Sequence, residues 1–218
     1  MINIIYKDNC MGIEYTKNNK IGYFTIDNGK VNCFTPQMHK DFYNYLKEFE
    51  IDKDVNVGIL RGSDGKCFSA GDDIKNVEKE KKTKQEELEA YLFLHQNENN
   101  KPTRPGWDID VLHFRRFKPI ISAINSYCLG KGLIYVLLHS DIRIASESAK
   151  FGLPEIEYGM AGASGSTRLA RQLSLVDAAW LCLTGEMIDA KEALRINLIN
   201  KIVKCDNLIK ESEKIANL

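Results

Sequence analysis

Two short stretches, VNVGILRG at 55–62 and KPIISAIN at 118–125, carry apolar side chains at consecutive positions instead of at every second one. A strand of that kind has no face to give to water and belongs in a sheet covered on both sides. KIGYFTID at 20–27 and DIRIAS at 141–146 read as further strands, so strand-like runs recur along the chain with helical patterns between them. Thr35 is placed to cap a helix that starts at Pro36, and Met38, Phe42, Tyr45, Leu46 and Phe49 recur at helical spacing as a core-facing stripe. SLVDAAWLCLTGE at 174–186 reads as a helix ending at Gly185. DAKEALRINLINKIV at 189–203 opens with a capping box from Asp189 to Glu192 and runs into a short final strand. This alternation predicts an α/β architecture with crossover connections. The charge-dense stretch 73–102 reads as a solvated segment that turns helical near Glu86–His95, and NLIKESEKIANL at 207–218 as a helix that stops almost as soon as it starts.

An apolar share of 44% over 218 residues is enough for one domain with a proper core. Thirty basic residues balance thirty acidic ones, so no net field draws the chain to nucleic acid or to an anionic membrane surface. The expected partner is a small molecule. MINIIYKDNC lacks a basic segment followed by a long apolar one, and the uncharged apolar run at 132–138 is far too short to span a bilayer; a cytoplasmic protein is expected. The six cysteines form no C-x-x-C pair and the four histidines have no ligand spacing, so no metal site is expected and the thiols read as reduced and packed.

Three turns carry the chemistry. In CFSAGDDIKN (67–76), Ser69, Ala70 and Gly71 let another molecule approach the backbone, and the N–H of Asp72 stands at the start of a new element. Taken alone, this is a tight turn with a capping acid. CLGKGL (128–133) is a second such turn after a buried strand, with the N–H of Lys131 or Gly132 at a helix start that favours negative charge. Neither is a phosphate loop. Together they supply the parts of an oxyanion hole. FGLPEIEYGMAGASGSTRL (151–169) adds Glu155 and Glu157 before a glycine-bearing segment that matches neither a dinucleotide fingerprint nor a nucleophile elbow. Glu155 is a general base if desolvated and a surface acid if not.

In order and approximate spacing, FSAGDDIK, KPIISAINSYCLGKG, SDIRIASESAKFGLPEIEYGMAGASGSTRLAR and LTGEMIDAKEALRINLINKIV resemble the crotonase family, the enoyl-CoA hydratases and isomerases, from about residue 18 to residue 203. The resemblance implies a crotonase-like spiral of ββα units over 1–203, with 204–218 as the shortened start of a C-terminal helical region that in relatives covers the site and builds trimers. A homotrimer weakened by the short C-terminus is the assembly it implies. It implies an acyl-CoA substrate whose thioester oxygen is held by the amides of Asp72 and of Lys131 or Gly132; counting forward from Asn125 selects Lys131, counting back from Asp141 selects Gly132. Ala70 and Ile74 fall where the family contacts the CoA adenine, and coenzyme A enters only as part of the substrate.

Of the two glutamates that family hydratases carry, Glu155 fills one position, while the other falls on Ile134 or Tyr135. One carboxylate suffices to shift a 3-enoyl-CoA double bond to the 2-position, so the expected activity is isomerisation with Glu155 as acid/base. The alternatives are hydration, a crotonase-like CoA-binding or scaffold protein, and thioester hydrolysis assisted by Glu157 or Asp72.

Overall fold

A computed structural model of the chain describes residues 11–74, 83–84, 107–160 and 163–218. The helix expected at 86–95, and most of the charged stretch around it, lie outside these residues. The first element is one that the sequence reading does not mark: β1 (Gly12–Asn18) pairs antiparallel with β2 (Ile21–Asp27) through Asn19 and Lys20, both at positive φ (49° and 64°). Hairpin turns of this kind are usually signalled by Asn-Gly or Asp-Gly, and here a lysine takes the place of the glycine. Most of β1 faces solvent, so it lacks the apolar alternation that would betray it.

The helix read from Pro36 and the strands read at 55–62, 118–125 and 141–146 lie where the sequence puts them, while the helix at Trp107–His113 and the short strands at Tyr127–Leu129, Lys150–Gly152 and Ile188–Asp189 were not marked by it. α1 (Pro36–Ile51) is capped by Thr35, whose side chain accepts from the Met38 N–H at 3.3 Å, and it buries Met38, Phe42, Leu46 and Phe49. Phe24 of β2 meets Phe42 and Phe49 edge-on, with ring centroids 5.7 and 5.4 Å apart. β3 (Val57–Gly62) precedes α2 (Trp107–His113), β4 (Ile120–Ile124) and β5 (Tyr127–Leu129). Then come α3 (Lys131–His139), β6 (Ile142–Ser146), β7 (Lys150–Gly152), a 3-10 turn at Pro154–Tyr158 and α4 (Ala163–Leu169). α5 (Leu175–Thr184), β8 (Ile188–Asp189), α6 (Ala190–Arg195), β9 (Lys201–Val203) and α7 (Leu208–Ala216) complete the order. The capping box at Asp189 is only half closed. Asp189 accepts from the Glu192 N–H at 2.9 Å, but the Glu192 carboxylate turns to Arg195 instead of back to the cap.

The strands form a six-stranded sheet in the order β1-β2-β3-β4-β6-β9 and a three-stranded one in the order β5-β7-β8. After the opening hairpin every neighbour in the larger sheet is parallel. Its central strands are covered on both faces, as their unbroken apolar runs require. α1 packs on one side, and α7 lies on the other against β3, β4 and β6, where Leu208 joins Ile59, Ile121 and Ile144 in a second cluster.

The chain climbs in a spiral. β4 enters the large sheet and β5 the small one before α3, and β6 and β7 repeat the step before the 3-10 turn. β3 does the same in outline, because Ser69 downstream of it bridges in parallel to Cys128 of β5. Among the described residues no helix is long and apolar enough to cross a membrane.

His139, at the end of α3, is fully buried and holds the Val111 carbonyl of α2 through Nε2 at 2.9 Å. Burial, helped by the charges of Arg116 and Arg168, depresses its pKa to about 4. The folded state therefore binds fewer protons than the unfolded chain between about pH 6.5 and 4, and stability falls on acidification through that window. Thermal melts from pH 7 to 4.5 are expected to show a loss of a few kcal/mol, about 3 at most from this residue. His139→Phe should flatten that dependence; an unchanged slope would contradict the assignment.

Candidate active site

Three parallel passages end side by side. The Ser69 N–H donates to the Tyr127 carbonyl at 2.8 Å and the Leu129 N–H to the Ser69 carbonyl at 2.9 Å, which sets residues 68–70 along β5. β5 in turn runs parallel to β7, Leu129 opposite Gly152, and the Gly130 N–H donates to the Gly152 carbonyl at 3.0 Å. Each passage then leaves its strand at the same edge, carrying Asp72, Lys131 and Glu155 respectively.

The turns at that edge touch, and their glycines explain why they can. Gly71 has φ of +98°, and a methyl group placed on it would lie 3.1 Å from the Leu129 oxygen and 3.3 Å from the Lys131 nitrogen. A methyl on Gly130 would lie 3.3 Å from Glu155 Oε1 and 3.7 Å from the Gly71 Cα. One on Gly132 would run into Ser69, 2.8 Å from its Cβ. Backbone meets backbone here with no room for side chains. Lys131 is thus the amide that borders Gly71, whereas Gly132 is turned toward Ser69. α3 makes its first internal bond from the Ile134 N–H to the Gly130 carbonyl at 3.0 Å, which leaves the N–H groups of Lys131, Gly132 and Leu133 ahead of it at the positive end of the helix.

Glu155 sits in the first turn of the 3-10 segment, after Pro154, and its backbone carbonyl accepts from Met160 and from Gly159, the latter in the left-handed conformation. Its side chain is partly buried, and Oε2 has no hydrogen-bond partner among the described residues. Burial raises its pKa above the ordinary carboxylate value, and the negative charge of Asp72 adds to the rise; its own N–H and the positive charge of Lys131 oppose it. From α5, the Cys182 thiol borders the same carboxylate and is pushed up by burial and by the Glu155 charge. Glu157 points elsewhere: it is exposed and lies beside Gly185 at the end of α5.

No acid lies on α3. Ile134 is buried, and Tyr135 is fully buried with its hydroxyl 2.7 Å from His39 Nδ1 and its ring edge-on to Phe34. Ala70 is half-buried, with its N–H on the Val31 carbonyl at 2.9 Å, and Ile74 is exposed at the mouth of the same turn.

Sequence reasoning missed His39 and Asp108, and with them the side-chain contacts that Asp72 and Lys131 make. His39 Nε2 lies 3.0 Å from Asp72 Oδ1, and Lys131 Nζ lies 3.1 Å from Asp108 Oδ2 and 3.9 Å from Asp72 Oδ2. A histidine interrupting the apolar stripe of α1 was the only signal.

Such an arrangement can hold a developing oxyanion between two amides while a desolvated carboxyl exchanges a proton with the neighbouring carbon. Known proteins resemble this chain in sequence and in fold. The chain is 33% identical over 213 residues to an (E)-benzylidenesuccinyl-CoA hydratase of Thauera aromatica, covering 95% of this chain and 77% of the relative. It is 35% identical over 203 residues to a short-chain-enoyl-CoA hydratase of Clostridium acetobutylicum, covering 92% and 72%. Among solved structures, an enoyl-CoA hydratase subunit of Geobacillus kaustophilus superposes with a TM-score of 0.77 at 25% identity, over 94% of this chain and 74% of that one. An enoyl-CoA hydratase of Mycobacterium tuberculosis gives 0.73 at 26%, over 94% and 78%. These neighbours share the ββα spiral, and the family model for enoyl-CoA hydratase/isomerase matches residues 16–217. By sequence and by fold, this chain belongs to the enoyl-CoA hydratase/isomerase family.

Proposed function

We propose that the chain moves a proton at the carbon next to an acyl-CoA thioester, with Glu155 as the acid/base group and the amides of Asp72 and Lys131 as the oxyanion donors. One observation carries this reading: the Glu155 carboxyl, with an unpartnered oxygen, is packed against Gly130, which is itself packed against Gly71. A base beside two amide donors is what enolate formation needs.

With α3 lacking an acid, the reaction best served is the shift of a 3-enoyl-CoA double bond to the 2-position. Glu155 removes a proton from the α-carbon, the electron pair moves onto the thioester oxygen between the two amides, and the same proton returns to the γ-carbon as the double bond reforms at the 2-position. Proton and electrons balance without a co-reactant. In this reading Ala70 and Ile74 lie along the CoA adenine, as expected from the resemblance.

Hydration of a 2-enoyl-CoA is the second reading, favoured by a second carboxyl, that of Asp72, close enough for its charge to act on Glu155. Purified protein offered 3-enoyl-CoA and 2-enoyl-CoA separately distinguishes them. The isomerase reading expects conversion of the 3-enoyl substrate at a rate at least tenfold above water addition to the 2-enoyl one. The reverse ranking would establish hydration. Acyl-CoA binding with neither reaction would leave a binding protein.

A further inference from the structure

The two residues whose amides border the site carry side chains of opposite charge, and those side chains belong to one buried chain of contacts. It runs from the Tyr135 hydroxyl to His39 Nδ1 at 2.7 Å, from His39 Nε2 to Asp72 Oδ1 at 3.0 Å, from Asp72 Oδ2 to Lys131 Nζ at 3.9 Å, and from Lys131 Nζ to Asp108 Oδ2 at 3.1 Å. Four pieces of the fold are joined in this way: α1, the turn after Ser69, α3 and α2. The side chains of Asp72, Lys131 and Asp108 keep only 16%, 10% and 8% of their exposure, so water screens them poorly. A charge held that way acts over several ångströms on whatever ionises beside it.

Glu155 is the group beside it: a methyl on Gly130, the residue before Lys131, would lie 3.3 Å from Glu155 Oε1 and 3.7 Å from the Cα of Gly71, the residue before Asp72. Among the described residues, the charged and titratable groups that act on Glu155 are Asp72 from the turn after Ser69, Lys131 from the start of α3 and the thiol of Cys182 from α5. We propose that Asp72 and Lys131 serve the site through their side chains as well as their amides: the anchored carboxylate and ammonium fix the charge balance around the Glu155 carboxyl and so tune it as an acid/base group. Both are positioning residues in this role. The inference deepens the reading of Glu155 as the acid/base group and rests on it for its functional meaning.

The signs are opposite for the two side chains, which makes the test selective. Asp72 pushes the Glu155 pKa up and Lys131 pulls it down, on top of the larger effect of burial. Asp72→Asn and Lys131→Met each remove one charge while keeping the backbone N–H. The experiment is a carbon-13 NMR titration of the full chain labelled at the glutamate carboxyls, with the Glu155 signal identified by its disappearance in Glu155→Gln. The Glu155 midpoint is expected to fall in Asp72→Asn, to rise in Lys131→Met, and to lie between those two values in the double variant.

Midpoints that stay put, or that move in the same direction in both variants, would overturn the proposal; a merely structural role predicts no such opposition. Should one variant fail to fold by circular dichroism, the direction of shift in the other decides. No substrate is needed for the titration. Absence of turnover on every enoyl-CoA would therefore sink the functional reading without touching this result, and unmoved midpoints in an active enzyme would sink only this one.

Discussion

Glu155→Gln is expected to lower turnover of the better enoyl-CoA substrate by about 10²–10⁴-fold, the usual contribution of a placed acid/base group, while acyl-CoA affinity stays nearly unchanged. Glutamine keeps the volume of the side chain and fills the same space against Gly130, but it cannot take the proton. Stability should not suffer. Burial disfavours the charged form of Glu155, and its Oε2 has no hydrogen-bond partner among the described residues, so a neutral amide removes a strain rather than a support. Steady-state kinetics and a thermal melt on the same preparation check both halves. The pH profile of the native protein carries a third: kcat/KM should fall on acidification through the raised Glu155 pKa, because the base must be unprotonated to start. A variant as active as the native chain would remove Glu155 from the chemistry.

Gly71→Ala is the second large effect, and it acts through the backbone. At φ of +98° an L-residue is strained by about 1–3 kcal/mol, and the added methyl would press on the Leu129 oxygen at 3.1 Å and the Lys131 nitrogen at 3.3 Å. Neither neighbour is a flexible side chain, so the two turns must part. Separating the donors should cost about 10²–10³ in kcat, comparable to deleting one oxyanion donor, together with a measurable drop in melting temperature. Gly65→Ala is the informative comparison, since Gly65 also has positive φ (+74°) but nothing within 4 Å of an added methyl. It should show the backbone cost with full activity. Equal kinetic losses in the two variants would mean that contact between the turns is irrelevant to catalysis.

Much of this was legible before any coordinates. The central strands announced themselves because burial on both faces leaves an uninterrupted apolar run, and α1 because Thr35, Pro36 and its stripe agree on one start and one face. β1 was not legible, since a strand with one buried residue and a hairpin turn lacking glycine sends no local signal. In the site, Glu155 and the glycine turns were readable as types, but their meeting depends on strand pairing, which sequence spacing does not reveal. The choice between Lys131 and Gly132 stood open because the stretch from Asn125 to Asp141 allows two counts. The His39–Asp72–Lys131–Asp108 contacts were invisible for a plainer reason. His39 and Tyr135 are 96 residues apart in the chain, and each on its own looks like an ordinary core position.

The spiral also acts as a ruler. The passages that lead into the Asp72 and Lys131 turns run parallel and adjacent, at the inter-strand spacing of about 4.8 Å, a constant of peptide geometry rather than a property of any side chain. An oxygen about 2.9 Å from each of two nitrogens that far apart fits between them without stretching either bond. On the proposed function, the spacing of the two donors would follow from strand pairing and from the glycines that let the turns touch. In that reading, side chains around the thioester, the charges at Asp72 and Lys131 included, can change without moving the strands that space the two amides.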